Sequence, residues 1–157
     1  QSELSLNAID VHDLVTKNYC RICDVENATV AVLQLSDTEG LVTIYHDQDL
    51  YVARDFKIGL MEIESALDED ESTYDSLLLE LQRSMDYFES TYGLGMVQKM
   101  LIFPQTPETM RMANYVQNYV TYEMDFAHVN VEKNGQLEQI DKHCFPAYCA
   151  ALRGIKA

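Results

Sequence analysis

The stretch Thr29–Ser36 reads Thr-Val-Ala-Val-Leu-Gln-Leu-Ser, a nearly unbroken apolar run. A strand wetted on one face alternates apolar and polar residues. A run without that alternation is covered on both faces, so the chain requires a sheet with helices on either side. The next segments extend the sheet. Asp37–Gly40 supplies turn chemistry, and Leu41–His46 is β-branched and aromatic. His46-Asp47-Gln48-Asp49 reads as a tight turn. In Leu50–Lys57, Tyr51, Ala53 and Asp55 are expected on one face and Val52, Arg54 and Phe56 on the other. Three consecutive strands predict an antiparallel meander.

Gly59 closes the meander, and Met61–Leu67 is expected as a short helix. Residues 68–72 form an acidic loop around Asp68-Glu69-Asp70-Glu71. Ser72 or Thr73 caps the longest helix, near 73–92. Its apolar set, Tyr74, Leu77, Leu78, Leu81, Met85 and Phe88, holds helical spacing over successive turns. Gly93 and Gly95 stop it. Lys99–Phe103 is a buried strand ending at Pro104. Thr106 at N-cap and Pro107 at N1 open a helix with Met112, Ala113, Val116, Tyr119 and Val120 as its buried stripe. Phe126–Val131 is a further strand, Asn134-Gly135 a turn and Phe145–Ile155 a final helix. Ahead of the meander, Leu4–Ile9 fits a short strand. Asp10 fits an N-cap with Asp13 in the first turn, followed by a helix with Val11, Leu14, Val15, Tyr19 and Ile22 on one face, before a break at Asn27.

Right-handed crossovers make the strands around these helices parallel. The expected fold is α/β. It is a five-stranded mixed sheet, an antiparallel three-strand meander plus two parallel strands, with helices on its faces. That order is the order of a ribonuclease H-like or actin-like half, here one subdomain over residues 1–157. The chain begins at Gln1 rather than Met, which predicts that it is part of a longer protein.

Charge narrows the partners. A net charge of −15 repels phosphate backbones and anionic lipid surfaces, so neither nucleic acid nor direct membrane contact is expected. No segment approaches the roughly 20 consecutive apolar residues of a membrane span, and no basic segment precedes an apolar one as in a signal peptide. Cys20 and Cys23 sit three apart on a predicted helix, which suits packing. His143, Cys144 and Cys149 lack the paired Cys-x-x-Cys knuckles of a zinc site, so buried reduced thiols are the simpler reading.

The catalytic expectations of the two fold groups are not met. A ribonuclease H-like nuclease places carboxylates inside the first strand and near the end of the fourth to hold magnesium. Those places carry Gln34 and Pro104-Gln105. An actin-like ATPase half needs an Asp-x-Gly-x-x-Thr turn after the first strand, where backbone N–H groups meet phosphate. Here Gln34 stands at the Asp and Ser36 at the Gly. A glycine pair is also required after Lys99–Phe103, and proline there removes a donor. His12, His46, His128 and His143 are scattered, with no Gly-x-Ser-x-Gly nucleophile beside them. Asp47 and Asp49 flank a hairpin turn and are turn formers. No catalytic, cofactor-binding or metal-binding residue is therefore expected, and the chain is read as a non-enzyme. Tyr115, Tyr119, Tyr122, Met110, Met112 and Met124 exceed what one buried stripe requires, so part of this set is a candidate partner surface.

Several segments resemble PilM-type pilus-assembly proteins. Leu81-Gln82-Arg83-Ser84-Met85-Asp86-Tyr87-Phe88-Glu89 resembles their "E-I-x-R-S-L-D-Y-Y/F" helix. Leu50–Gly59 is similar to their "G-x-x-x-x-x-R-x-I-x-x-G" strand. Ala8-Ile9-Asp10-Val11 resembles the entry to their second half, and Ala150-Ala151-Leu152-Arg153 their closing helix. The cytoplasmic domains of GspL-type secretion proteins are related. The resemblance covers most of the chain and implies the second half of an actin-like fold. It further implies a scaffold at the cytoplasmic face of the bacterial inner membrane. The implied partners are the cytoplasmic segment of a PilN-like inner-membrane protein and other pilus-platform components, with self-association left open. An ATPase whose phosphate residues lie mainly in an absent N-terminal half is the alternative.

Overall fold

The computed structural model describes residues 16, 18–19, 28–66, 72–128, 130–133, 136–141 and 144–152. The expected strand Leu4–Ile9, the acidic run at 68–71, Cys20, Cys23, His12, His143 and the Asn134-Gly135 turn lie outside them. The predicted helix after Asp10 is represented by Thr16, Asn18 and Tyr19, all helical.

Five strands form one sheet in the order β3-β2-β1-β4-β5. They are β1 (Thr29–Leu35), β2 (Gly40–His46), β3 (Asp49–Phe56), β4 (Lys99–Phe103) and β5 (Glu123–Phe126). The β1–β2 and β2–β3 pairs are antiparallel, and β1–β4 and β4–β5 are parallel. The expected mixed sheet is therefore present.

Its central strand explains the apolar run that specifies it. Ala31, Leu33 and Leu35 join one buried cluster, whereas Val30 and Val32 join the other. The first cluster is completed by α1 (Leu60–Ser65), α2 (Ser72–Tyr92) and α3 (Pro107–Gln117). The second is completed by α4 (Phe145–Ala151) and Tyr19. There Phe103 stacks on Phe145 at 4.2 Å, and Asn18 donates to the Cys149 carbonyl at 3.1 Å. On α2, Leu77, Leu78, Leu81, Met85 and Phe88 are buried, as their spacing predicts.

Capping follows local chemistry. Thr106 accepts from the Thr109 amide ahead of Pro107, the expected N-cap and N1 pair. Asp47 and Gln48 both take positive φ, as a two-residue hairpin turn requires. Gly93, at φ 62°, ends α2.

Five expectations are corrected. The short helix is Leu60–Ser65, and α2 starts at Ser72, so Ser72 is helical. The strand expected at Phe126–Val131 is two elements. Glu123–Phe126 pairs with β4, while β6 (Asn130–Lys133) forms a separate antiparallel hairpin with β7 (Gln136–Gln139). Gln117 fixes the earlier start: its side-chain amide donates to the Tyr122 carbonyl and its oxygen accepts from the Met124 amide. The final helix ends at Ala151, capped by Leu152, short of Ile155. The alternation expected along β3 breaks at Tyr51. The register shifts between Ile44 and Tyr45, leaving Tyr51 as the extra residue of a bulge. Tyr51 consequently packs against Phe88 and Tyr92 of α2, the helix that Arg54 also meets through Glu80.

Candidate functional site

Parallel strands of an open α/β sheet offer ligands the space beyond their carboxyl ends. For β1 that end is Gln34 to Ser36. Gln34 pairs with Leu41 of β2, and Leu41 with Asp55 of β3, so the three lie in a row across the sheet. With Ser36, Glu39 and Gly40 they line a cavity of about 180 Å³.

The turn that would hold phosphate is bonded to itself and to α1. The Ser36 amide donates to the Glu39 carbonyl at 2.8 Å, and the Glu39 amide donates to Ser36 Oγ at 3.1 Å. The outward carbonyls of Ser36 and Asp37 accept from the Leu60 and Met61 amides at 2.8 and 2.9 Å. Two N–H groups at the start of α1, ordinarily the donors of an anion site, are thus consumed inside the protein. Gly59 permits the approach: a Cβ there would lie 2.5 Å from the Glu39 nitrogen. Glu39 and Asp55 add negative charge to the cavity, and Lys57, the nearby cation, is paired with Glu39. That pairing, first through the Glu39 hydrogen bond, raises the Lys57 pKa.

The end of β4 is closed as well. The Phe103-Pro104 bond is cis, and the Pro104 carbonyl accepts from the buried Thr109 hydroxyl at 2.9 Å. The Thr106 amide donates to the same hydroxyl.

The remaining chemical candidates are dispersed. Thr29 Oγ1 and His46 Nδ1 are 2.8 Å apart, which ties this histidine to the sheet. His128 follows β5, with β1 and β4 between the two strands concerned. Among the described residues no group of three or more His, Cys, Asp or Glu side chains could hold a metal ion. Cys149 is buried as expected, but Cys144 is exposed at the start of α4; neither forms a disulfide. No described helix is long and apolar enough to cross a membrane.

The tyrosine and methionine set divides. Met112 and Tyr122 are buried, Tyr115 and Met124 pack partly against the core, and Met110 and Tyr119 are exposed. Tyr119 was expected in the buried stripe. It lies beyond the end of α3 at Gln117, so helical spacing no longer directs it inward. A second cavity, of about 170 Å³, opens beside it, at the opposite end of the sheet from Ser36. Sequence reasoning did not find this groove. Its walls come from the later half of α2, Met96-Val97 before β4, and the loop 119–122 before β5.

The fold is that of one half of an actin-like, ribonuclease H-like protein. Among solved structures, a chain of the PilM–PilN type IV pilus biogenesis complex is similar at TM-score 0.62 and 14% identity. The match covers 93% of this chain and 51% of that one. The apo pSK41 ParM protein matches at TM-score 0.55 and 10% identity, covering 92% of this chain and 48% of that one. The Alp12 filament structure matches at TM-score 0.54 and 9% identity, over 88% and 50%. The chain therefore spans about half the length of these structures. No protein-family model and no curated protein matches it.

Proposed function

We propose that this chain is a non-catalytic, actin-like scaffold element of a type IV pilus biogenesis platform. It works by protein–protein contact at the cytoplasmic face of the inner membrane. The particular assignment is to the MSHA pilus, with the chain corresponding to the second half of a MshI-like protein. Its partner is the cytoplasmic segment of a PilN-like inner-membrane protein. The observation that carries the reading is the β1–β2 turn, whose polar groups meet each other and α1 where a nucleotide-binding half presents donors to phosphate. The likeness to a chain of the PilM–PilN complex and the Arg83-Ser84-Met85-Asp86-Tyr87-Phe88 helix support the pilus assignment.

Calorimetric titration with a non-hydrolysable ATP analogue and magnesium tests the non-catalytic part, with no saturable heat expected. Micromolar binding overturns it. Deleting the gene tests the assignment: pilus loss with intact type II secretion is expected. Loss of secretion instead indicates a GspL-like domain.

A second reading is an ATPase whose phosphate residues lie in the rest of the protein. It is favoured by the chain's spanning only 51% of the similar PilM–PilN chain. Turnover by the full-length protein, abolished by substitutions outside these 157 residues, supports it.

A further inference from the structure

The groove at the far end of the sheet combines three features. Its apolar parts include the buried Met85 and Val97 and the partly buried Val120, with Met96 (64% exposed) and Tyr119 (56% exposed) as projecting walls. A methionine and a tyrosine left this open offer adaptable apolar area for a partner. Its polar lining includes the carboxylates Asp86 and Glu89, one helical turn apart on α2, and no lysine, arginine or histidine. Finally, Tyr122 lines it while being only 8% exposed, and its hydroxyl has no hydrogen-bond partner among the described residues. Burial pushes that phenol's pKa up, so it stays protonated and keeps a donor to give. A buried hydroxyl without a partner costs stability, so this wall of the groove is not optimised for the fold alone.

We propose that this groove docks a basic segment of a partner protein, an apolar side chain flanked by Lys or Arg. The apolar residue seats between Met96 and Tyr119, and the cations meet Asp86 and Glu89. Charge selects this occupant over a second copy of the chain. At net −15, two copies repel each other, and each would bring further acid to an acid-lined groove. The groove is separate from the cavity at Ser36, since β4 begins beside Val30 and ends beside Gln34. The inference rests on the scaffold reading, because it supplies a contact through which such a protein acts.

The test uses two short synthetic peptides sharing a Leu-Phe pair, one flanked by Lys and Arg, the other by Glu. Binding is read by fluorescence anisotropy at low and moderate salt. The basic peptide is expected to bind, more weakly as salt rises, and the acidic one not to bind. Tyr119→Ala should weaken binding by about tenfold or more, as expected for a central aromatic anchor. Replacing Asp86→Lys with Glu89→Lys should reverse the preference between the peptides. Met96→Ser changes a largely exposed side chain and serves as a further variant should the charge reversal fail to fold. Equal binding of both peptides, no binding of either, or indifference to Tyr119→Ala and Met96→Ser overturns the proposal. So does self-association in sedimentation that depends on Met96, which would assign the groove to a second copy. Co-purification of the full-length protein with its inner-membrane partner separates this test from the scaffold reading. A complex that survives the charge reversal defeats the groove alone. Peptide discrimination without any pilus complex defeats the pilus assignment alone.

Discussion

The two ends of the central sheet are built in opposite ways. At the carboxyl ends of β1 and β4, backbone groups are taken up by backbone and short hydroxyls: the Ser36–Glu39 turn bonds to itself and to α1, and the Pro104 carbonyl accepts from the Thr109 hydroxyl. At the amino ends of β4 and β5, side chains from three separate segments leave an open groove with exposed Met96 and Tyr119 and a Tyr122 hydroxyl that has no partner among the described residues. The end where this fold commonly binds ligands is tied up in hydrogen bonds within the protein. The other end retains groups whose hydrogen-bonding and apolar surface are unspent. Fold and activity are separable in general, and the proposal that they are separated here rests on these particular bonds.

That contrast predicts different responses to substitution. The largest is at the closed end. Gly59→Ala puts a Cβ 2.5 Å from the Glu39 nitrogen and 2.6 Å from the Asp37 oxygen, both backbone atoms. Backbone cannot swing aside as a flexible side chain can, so the turn and α1 must separate. A loss of about 1–3 kcal/mol is expected in urea denaturation. An unchanged midpoint would mean the turn and α1 are not held together as described. At the open end the sign reverses. Tyr122→Phe removes a buried hydroxyl that has no partner among the described residues and is expected to stabilise the chain by about 1 kcal/mol in the same assay. Destabilisation instead would reveal a structural role for the hydroxyl and weaken the contrast.

The smallest effect is electrostatic and lies on the edge strand β5. Lys99 Nζ is 2.8 Å from Asp125 Oδ2, and this hydrogen bond, ahead of the Phe126 amide and nearby charge, holds the Asp125 pKa below its ordinary value of 3.8. Because the folded value is the lower one, the pair contributes stability above 3.8 and loses it as pH falls through the folded value. Both side chains are partly exposed, so the effect on stability is slight. Lys99→Met should move the Asp125 titration upward, as read by carboxyl NMR. A titration that does not move would leave the depression without its main cause.

Much of the closed end was legible in the sequence. The unbroken run around Gln34 specified a strand buried on both faces, and Thr106-Pro107 marked a helix start by local chemistry alone. Gln34, Ser36 and Pro104 could be placed because strand ends follow directly from such runs. The bonds that close the turn were not legible, since they depend on α1 arriving at Ser36 through Gly59. The groove was harder still. Its residues come from 82–89, 96–97 and 119–122, brought together by the parallel pairing of β4 and β5 and by the packing of Met85 and Phe88 in one core cluster with Val97 and Tyr122. Tyr119 even carried a misleading signal. Its spacing continued the α3 stripe, but Asn118 caps the helix before it. The separation of β5 from β6 failed for a related reason. Gln117 anchors the backbone of Tyr122 and Met124, a contact across a loop that alternation cannot report.

The central proposal is that the carboxyl end of β1 does not receive phosphate. Its most direct test is a two-dimensional amide NMR titration of the chain with magnesium and a non-hydrolysable ATP analogue. The account predicts that the amides of Ser36, Glu39, Leu60 and Met61 keep their positions throughout. Saturable shifts at those amides with micromolar affinity would contradict it.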